Sequence, residues 1–275
     1  MSSTAPVAVQ PAPERALGRL VGRRVRDWIP AVVVLVVAIG GWQLAVPAFH
    51  IHRFLLPQPS TIWHTFWDNR GDLLRAGWLT FEEALGGFAI GCGLALLVAV
   101  VLARWRPLGR ALMPYAIAAN AVPIIAFAPI TNAWFSPFSK TSKMAIAAVL
   151  CFFPVLVNAL RGLTSVRPQS LELMRSYAAG QVEIFRRLRL PTALPFIFTG
   201  LKVSSVLAMI GAIVAEYFGG TLGDLGTLIR SQYQVFDYPD AWAGILVACL
   251  YGIAFYLVIA LIERLTLRWQ PSTFD

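Results

Sequence analysis

The chain has 275 residues, 57% of them apolar and only 13% charged, with a mean hydropathy of +0.66, whereas a water-soluble domain carries about 25% charged and 45–50% apolar residues. That balance excludes an ordinary soluble globule and reads as a membrane protein. The 23 Lys and Arg exceed the 14 Asp and Glu, but they lie between apolar stretches and not along one basic face, so nucleic acid is excluded as a partner.

A spanning helix needs about 20 mostly apolar residues to cross about 30 Å of hydrocarbon, and six stretches qualify. The first, Trp28 to Pro47, carries the uninterrupted core AVVVLVVAIGGW. It follows a polar tail, residues 1–27, with Arg15, Arg19, Arg23, Arg24 and Arg26. No small-residue cleavage site follows the apolar run, so the segment reads as a retained helix and not as an export signal. The second span runs from Gly77 to Ala103, and the third from Leu108 to Ile130. Pro114, Pro123 and Pro129 punctuate the third, which predicts kinks or a break. Met144 to Leu163, Ala193 to Phe218 and Ala241 to Ile262 complete the set. The fold class is therefore all-α: one polytopic domain over residues 28–270, with a short tail at 271–275.

Sixteen basic residues fall on one side of these spans and six on the other. The positive-inside rule then places both termini in the cytoplasm, and six spans satisfy the even number this requires. On the external side, Ala48 to Ala76 is expected to hold a short amphipathic helix after Pro59. Ser60 would cap it, with Ile62, Phe66 and Trp63 on its apolar face. Trp63, Trp67, Tyr233 and Tyr238 suit an interfacial layer.

The cytoplasmic segment 164–192 is the most informative. Pro168 suits the first position of a helix, and Gly180 suits the residue just past its end. Beyond Gly180, Val182, Phe185 and Leu188 recur on one face, and Glu183 with Arg187 forms an i,i+4 ion pair. Pro191 is expected to end this second helix before the fifth span. The segment is too polar for the membrane and too amphipathic to float free, so it reads as a bent docking element; the bland alternative is a basic helix resting on anionic lipid.

The order and spacing of this segment resemble the EAA loop of bacterial ABC-importer permeases: E-A-A, three residues, G, nine residues, I-x-L-P. Glu172 takes the acidic position, Leu173 and Met174 the alanines, Ala178 the glycine, and Leu188, Leu190 and Pro191 the ending. LPQPSTIW, GGFAIG, VPIIAFAPI, SKTSK and AEYFGG with GDLG resemble the nitrate, taurine, sulfonate and pyrimidine-precursor branch of that family over roughly residues 55 to 270. The resemblance implies a type I permease whose loop seats a coupling helix in a cytoplasmic ATPase subunit, with Glu172, Arg175, Ala178, Ala179, Gly180, Glu183, Phe185, Leu188, Leu190 and Pro191 as coupling residues. It also implies an external or periplasmic solute-binding protein, a second permease copy and a bacterial inner-membrane location. ATP and Mg would belong to the partner, since this chain has no G-x-x-x-x-G-K-[ST] and no catalytic residues are expected. The cargo leans towards a pyrimidine-type nitrogen heterocycle; nitrate, taurine or an alkanesulfonate through the same machinery is the alternative, and an autonomous secondary transporter a more distant one.

Polar residues in or beside the spans are the candidates for the translocation pathway: Glu83, Asn120, Pro123, Asn158 and Glu216. Glu82 and Glu83 stand at the outer end of the second span, and at least one should face the interior. Glu216 would line the exit or fix an external gate, or else be a simple helix-end charge. Asn120 and Asn158 would otherwise bond between helices. Lys202 is expected to snorkel to the inner interface. Cys92, Cys151 and Cys249 lack metal or redox spacing, and His50, His52 and His64 lack completing ligands, so no metal site is expected.

Overall fold

The computed structural model describes residues 14–52, 55–119 and 123–267, with the side chains of 14–28, 106 and 110 aside. The expected tail 271–275 and the candidate Asn120 lie outside these residues. The described chain is helical without strands and divides into two units, one ending at Thr61 and one starting at Ile62.

The first unit holds α1 (Glu14–Ala48) and the start of α2 (Pro59–Asp68). Helix α1 continues unbroken from the basic segment into its apolar stretch, and Val34, Val36 and Val37 are exposed. Ser60 does not cap α2, because Pro59 occupies the first turn. Instead the Ser60 N–H donates to Gln43 Oε1 at 3.1 Å, while Ser60 Oγ accepts from Gln43 Nε2 at 3.0 Å.

The second unit takes up α2, whose Ile62 and Phe66 are buried while Trp63 is exposed. It continues through α3 (Arg70–Arg104), α4 (Arg106–Ala119), α5 (Ala128–Phe135), α6 (Lys140–Thr164), α7 (Pro168–Ser176), α8 (Gln181–Ile184), α9 (Leu190–Phe218), α10 (Leu225–Gln234) and α11 (Tyr238–Thr266). Over the described residues five helices are long and apolar enough to cross a membrane, and the α4 and α5 region makes a sixth if taken as one bent span. Its two halves meet at 76°. The expected break is therefore present, with Pro123 extended at φ −64° and ψ 100°.

The core is built on small residues. A Cβ at Gly91 would overlap the Ala148 carbonyl, and one at Gly211 would lie 2.8 Å from Ala147 Cα. Likewise, a Cβ at Gly162 would lie 2.8 Å from Ala193 Cα. Glycine thus lets α6 approach α3 on one side and α9 on the other at backbone distance, the usual device where water supplies no drive for helix association. Around this seam pack Cys92, Cys151, Val155, Ala208 and Ala212, with Phe255 of α11 edge-on to Phe81 and Phe88.

Several boundaries differ from the sequence expectation, and two have a local cause. Helix α3 starts at Arg70, seven residues before Gly77, because Leu73 and Ala76 continue its buried face towards the N-terminus. Pro191 does not stop a helix: α8 passes through a π turn, Phe185–Arg189, straight into α9. The Leu190 N–H reaches back to Phe185 O, and the widened turn accommodates a ring that brings no N–H of its own.

Candidate functional site

The elbow begins with α7, which Pro168 opens and which ends in a Schellman turn. The Ala178 N–H donates to Arg175 O at 2.9 Å and the Ala179 N–H to Met174 O at 3.0 Å, the paired bonds of that motif. Its left-handed residue is Ala178, with φ 55°. Gly180 is extended at φ −70° and ψ 163° and caps the start of α8. The corner therefore turns two residues before the glycine expected to make it, at the position where the resembled loop carries glycine.

The two sides of the elbow differ in burial. Leu171 and Ile184 are buried, and Phe185 and Leu190 pack against the main core. Arg189 Nη1 donates to Ala103 O at 3.5 Å, at the C-terminal end of α3 where a cation is favoured. The other side leaves Leu173, Tyr177 and Val182 exposed, at 58%, 77% and 72%. Three apolar side chains thus stand open on a polar element. Glu183 and Arg187 pair at 3.3 Å beside it. Phe185, expected on the docking face, is instead part of the root.

At the opposite end of the bundle, α3, α6 and α9 bring buried polar groups together. Glu83 is 3% exposed and Glu216 fully buried, and their carboxylate oxygens lie within 4.8 Å of each other and of Asp224. Glu216 Oε2 accepts from the Gly226 N–H at 2.7 Å, and Thr80 Oγ1 accepts from the Leu225 N–H at 3.0 Å. Thr227 Oγ1 donates to Glu216 O at 3.2 Å. The first N–H groups of α10 have no helical acceptor, so side chains of α9 and α3 supply the missing caps. Lys143 is fully buried and donates to Pro137 O at 2.5 Å and Ser139 O at 3.3 Å. Glu82, by contrast, is exposed, with Lys140 at 2.8 Å and Trp78 Nε1 donating at 2.7 Å.

Other sequence candidates separate. Asn158 Nδ2 donates to Pro154 O at 2.8 Å within its own helix. Pro123 is exposed at the break before α5. Lys202 Nζ meets Glu263 near the C-terminal end of α11 at 2.6 Å, with both side chains about four-fifths buried. Thr80, Asp224, Lys143 and Glu263 went unremarked in the sequence. Asp224 at the turn before α10 carries a helix-start signal, but nothing in one sequence pairs it with Glu216.

A family model described as the inner membrane component of binding-protein-dependent transport systems matches residues 91–269. The chain is 32% identical to a riboflavin transport system permease of Chloroflexus aurantiacus over 277 residues, 99% of this chain and 100% of the relative. It is 36% identical to a formylaminopyrimidine transport permease of Halalkalibacterium halodurans, across 80% of this chain and 87% of that one. A putative aliphatic sulfonates transport permease of Bacillus subtilis is 28% identical across 91% of both.

Proposed function

Because the chain belongs to the family of binding-protein-dependent transport inner membrane components, an ABC-importer permease for small solutes, we propose that it couples a cytoplasmic ATPase to solute passage through its elbow. The observation that carries this reading is the asymmetric burial of the elbow. One side is rooted in the core of α3, α6 and α9, and the other presents Leu173, Tyr177 and Val182 to a partner. Helix in groove is the recognition mode that such a face fits, and Arg186 and Arg187 beside it orient the approach. Closure of two ATPase subunits on ATP draws two elbows together, and the run of helix from Gln181 to Phe218 carries that displacement through the membrane.

The partners follow from the same reading: an ATPase that holds ATP and Mg, an external solute-binding protein, surrounding lipid and a second copy of this chain, since one bundle encloses too little surface for a pathway. In this reading the chain lies in a bacterial inner membrane with both termini cytoplasmic, as the excess of basic residues on one side of the spans favours. Glu83 and Glu216 then stand at the external end, where Glu216 with Thr80 holds α10 as a gate, and Asn120, Pro123 and Asn158 are the further pathway candidates. The cargo is a small nitrogen heterocycle, favoured by the two relatives named for riboflavin and formylaminopyrimidine transport, both more than 30% identical. The 28% relative named for aliphatic sulfonates keeps an anionic cargo as the second reading.

The test is co-purification. Tagged wild-type chain is expected to retain an ABC ATPase subunit, while Leu173→Asp and Tyr177→Asp insert normally, lose the ATPase and stop uptake. Retention of the ATPase and full uptake by both variants would refute the coupling assignment.

A further inference from the structure

At the end of the bundle away from the elbow, three acidic side chains from three separate segments converge. Glu83 of α3, Glu216 of α9 and Asp224 in the link before α10 each offer one oxygen, and these oxygens lie within 4.8 Å of one another. All three residues are buried. The set spans about 140 residues of sequence, so it is invisible to the His and Cys spacing from which no metal site was expected.

Backbone holds two of these carboxylates in place. Glu216 Oε2 accepts from the Gly226 N–H and Asp224 Oδ2 from the Thr221 N–H, each at 2.7 Å. Bonds of this kind orient an acidic ligand towards a metal. Other oxygens of the group have no donor: Glu216 Oε1 and Glu83 Oε2 are buried without a hydrogen-bond partner, on residues only 0% and 3% exposed. A buried carboxylate oxygen left unpaired is costly, and in a native structure such a group calls for a ligand. Charge points the same way. Lys143 is a buried cation that acts on all three carboxylates, yet its Nζ donates to Pro137 O and Ser139 O. Lys140, which acts on Glu83 and Asp224, is paired with Glu82 at the surface. Three carboxylates against one buried ammonium leave two negative charges, which a divalent cation answers.

We propose that Glu83, Glu216 and Asp224 bind a hard divalent cation of the size of calcium. Carboxylate oxygens select hard cations. Oxygens around calcium lie at about 2.3–2.6 Å, so two on opposite sides are about 5 Å apart, and a trio within 4.8 Å fits one shell. Magnesium demands a tighter octahedron at about 2.0–2.1 Å, which suits it less where backbone already fixes two of the ligands. Bound, the ion ties the α9–α10 link to α3. Stripped, the like charges loosen that link, so the ion sets how firmly α10 is held. The site stands on side-chain geometry and is independent of the permease reading.

The test uses the purified full-length chain in a neutral detergent, freed of metal by a chelator and dialysed against radioactive calcium at constant ionic strength. Saturable binding of about one ion per chain is expected, half-saturated at or below about 1 mM. Calcium is expected to raise the unfolding temperature and to slow hydrogen exchange at Thr221, Leu225 and Gly226, with magnesium at the same concentration doing less. Glu83→Gln and Asp224→Asn are expected to weaken binding about tenfold or more and to remove the calcium-dependent shift, whereas Glu82→Gln, on the exposed neighbour, keeps both. Glu83→Gln removes a charge and leaves the caps of α10 in place. No saturable binding by the wild-type chain overturns the assignment whether or not the variants fold, and would mean that the carboxylates share a proton instead. Binding indifferent to both substitutions, or an unfolding shift that potassium reproduces at matched ionic strength, also overturns it. Equal binding of magnesium contradicts a calcium-sized site.

Discussion

Ala178 carries the sharpest prediction among individual residues. An L-residue with a side chain in the left-handed region costs on the order of 1 kcal/mol relative to glycine. Ala178→Gly is expected to stabilise the elbow by about that amount and to raise hydrogen-exchange protection at residues 178 and 179. Ala178→Val, β-branched at φ 55°, is expected to lower uptake. Unchanged protection in the glycine variant would mean that the corner is not the turn described. Glu216 gives a second contrast. Glu216→Ala removes the acceptor of the Gly226 N–H and is expected to cost about 1–3 kcal/mol, while Glu216→Gln keeps a carbonyl oxygen there and loses less. Thermal unfolding in detergent reads both, and equal losses would contradict the capping role. Lys202→Met leaves Glu263 without its cation, and the double change Lys202→Met with Glu263→Leu is expected to recover expression, since replacing both partners of a desolvated pair is often neutral.

Among the elements, the seam of α3, α6 and α9 turns on which glycines face a backbone. Gly91→Leu and Gly211→Leu are expected to prevent folding, because the added atoms meet Ala148 and Ala147 main chain. Gly93→Ala, with open space around it, is expected to be silent in expression and uptake. If Gly91→Leu folds and transports normally, the close packing is not what holds the bundle. Much of this was legible in advance. The spans showed as apolar runs, and the prolines announced the broken α4 and α5. What was not legible is long-range or depends on the local turn. The rule that glycine ends helices pointed to Gly180, but a Schellman turn on alanine was already complete at Ala178. Pro191 looked like a stop because periodicity does not reveal a π turn. The pairing of Lys202 with Glu263, 61 residues later, has no local signature. Glu83 and Glu216 were visible as charges at span ends, yet the hold of Glu216 and Thr80 on α10 arises only when three helices meet.

For the molecule as a whole, the rooted side of the elbow, the seam and the polar clamp on α10 form one mechanical line from one end of the bundle to the other. In the proposed coupling the elbow receives force, the continuous helix from Gln181 to Phe218 transmits it, and Glu216 at the far end of that helix holds the α10 start. Two copies around a shared path complete the importer in this account, and single cysteines placed along α9 are expected to yield self-linked product; none at any position would contradict the homodimer. The most direct measurement is photocrosslinking from a probe amino acid at position 177 in native membranes, across the nucleotide-free, ATP-trapped and ADP states. The account predicts a crosslink to the ATPase subunit whose yield changes with nucleotide. Crosslinks to lipid alone, or to no protein in any nucleotide state, would contradict it.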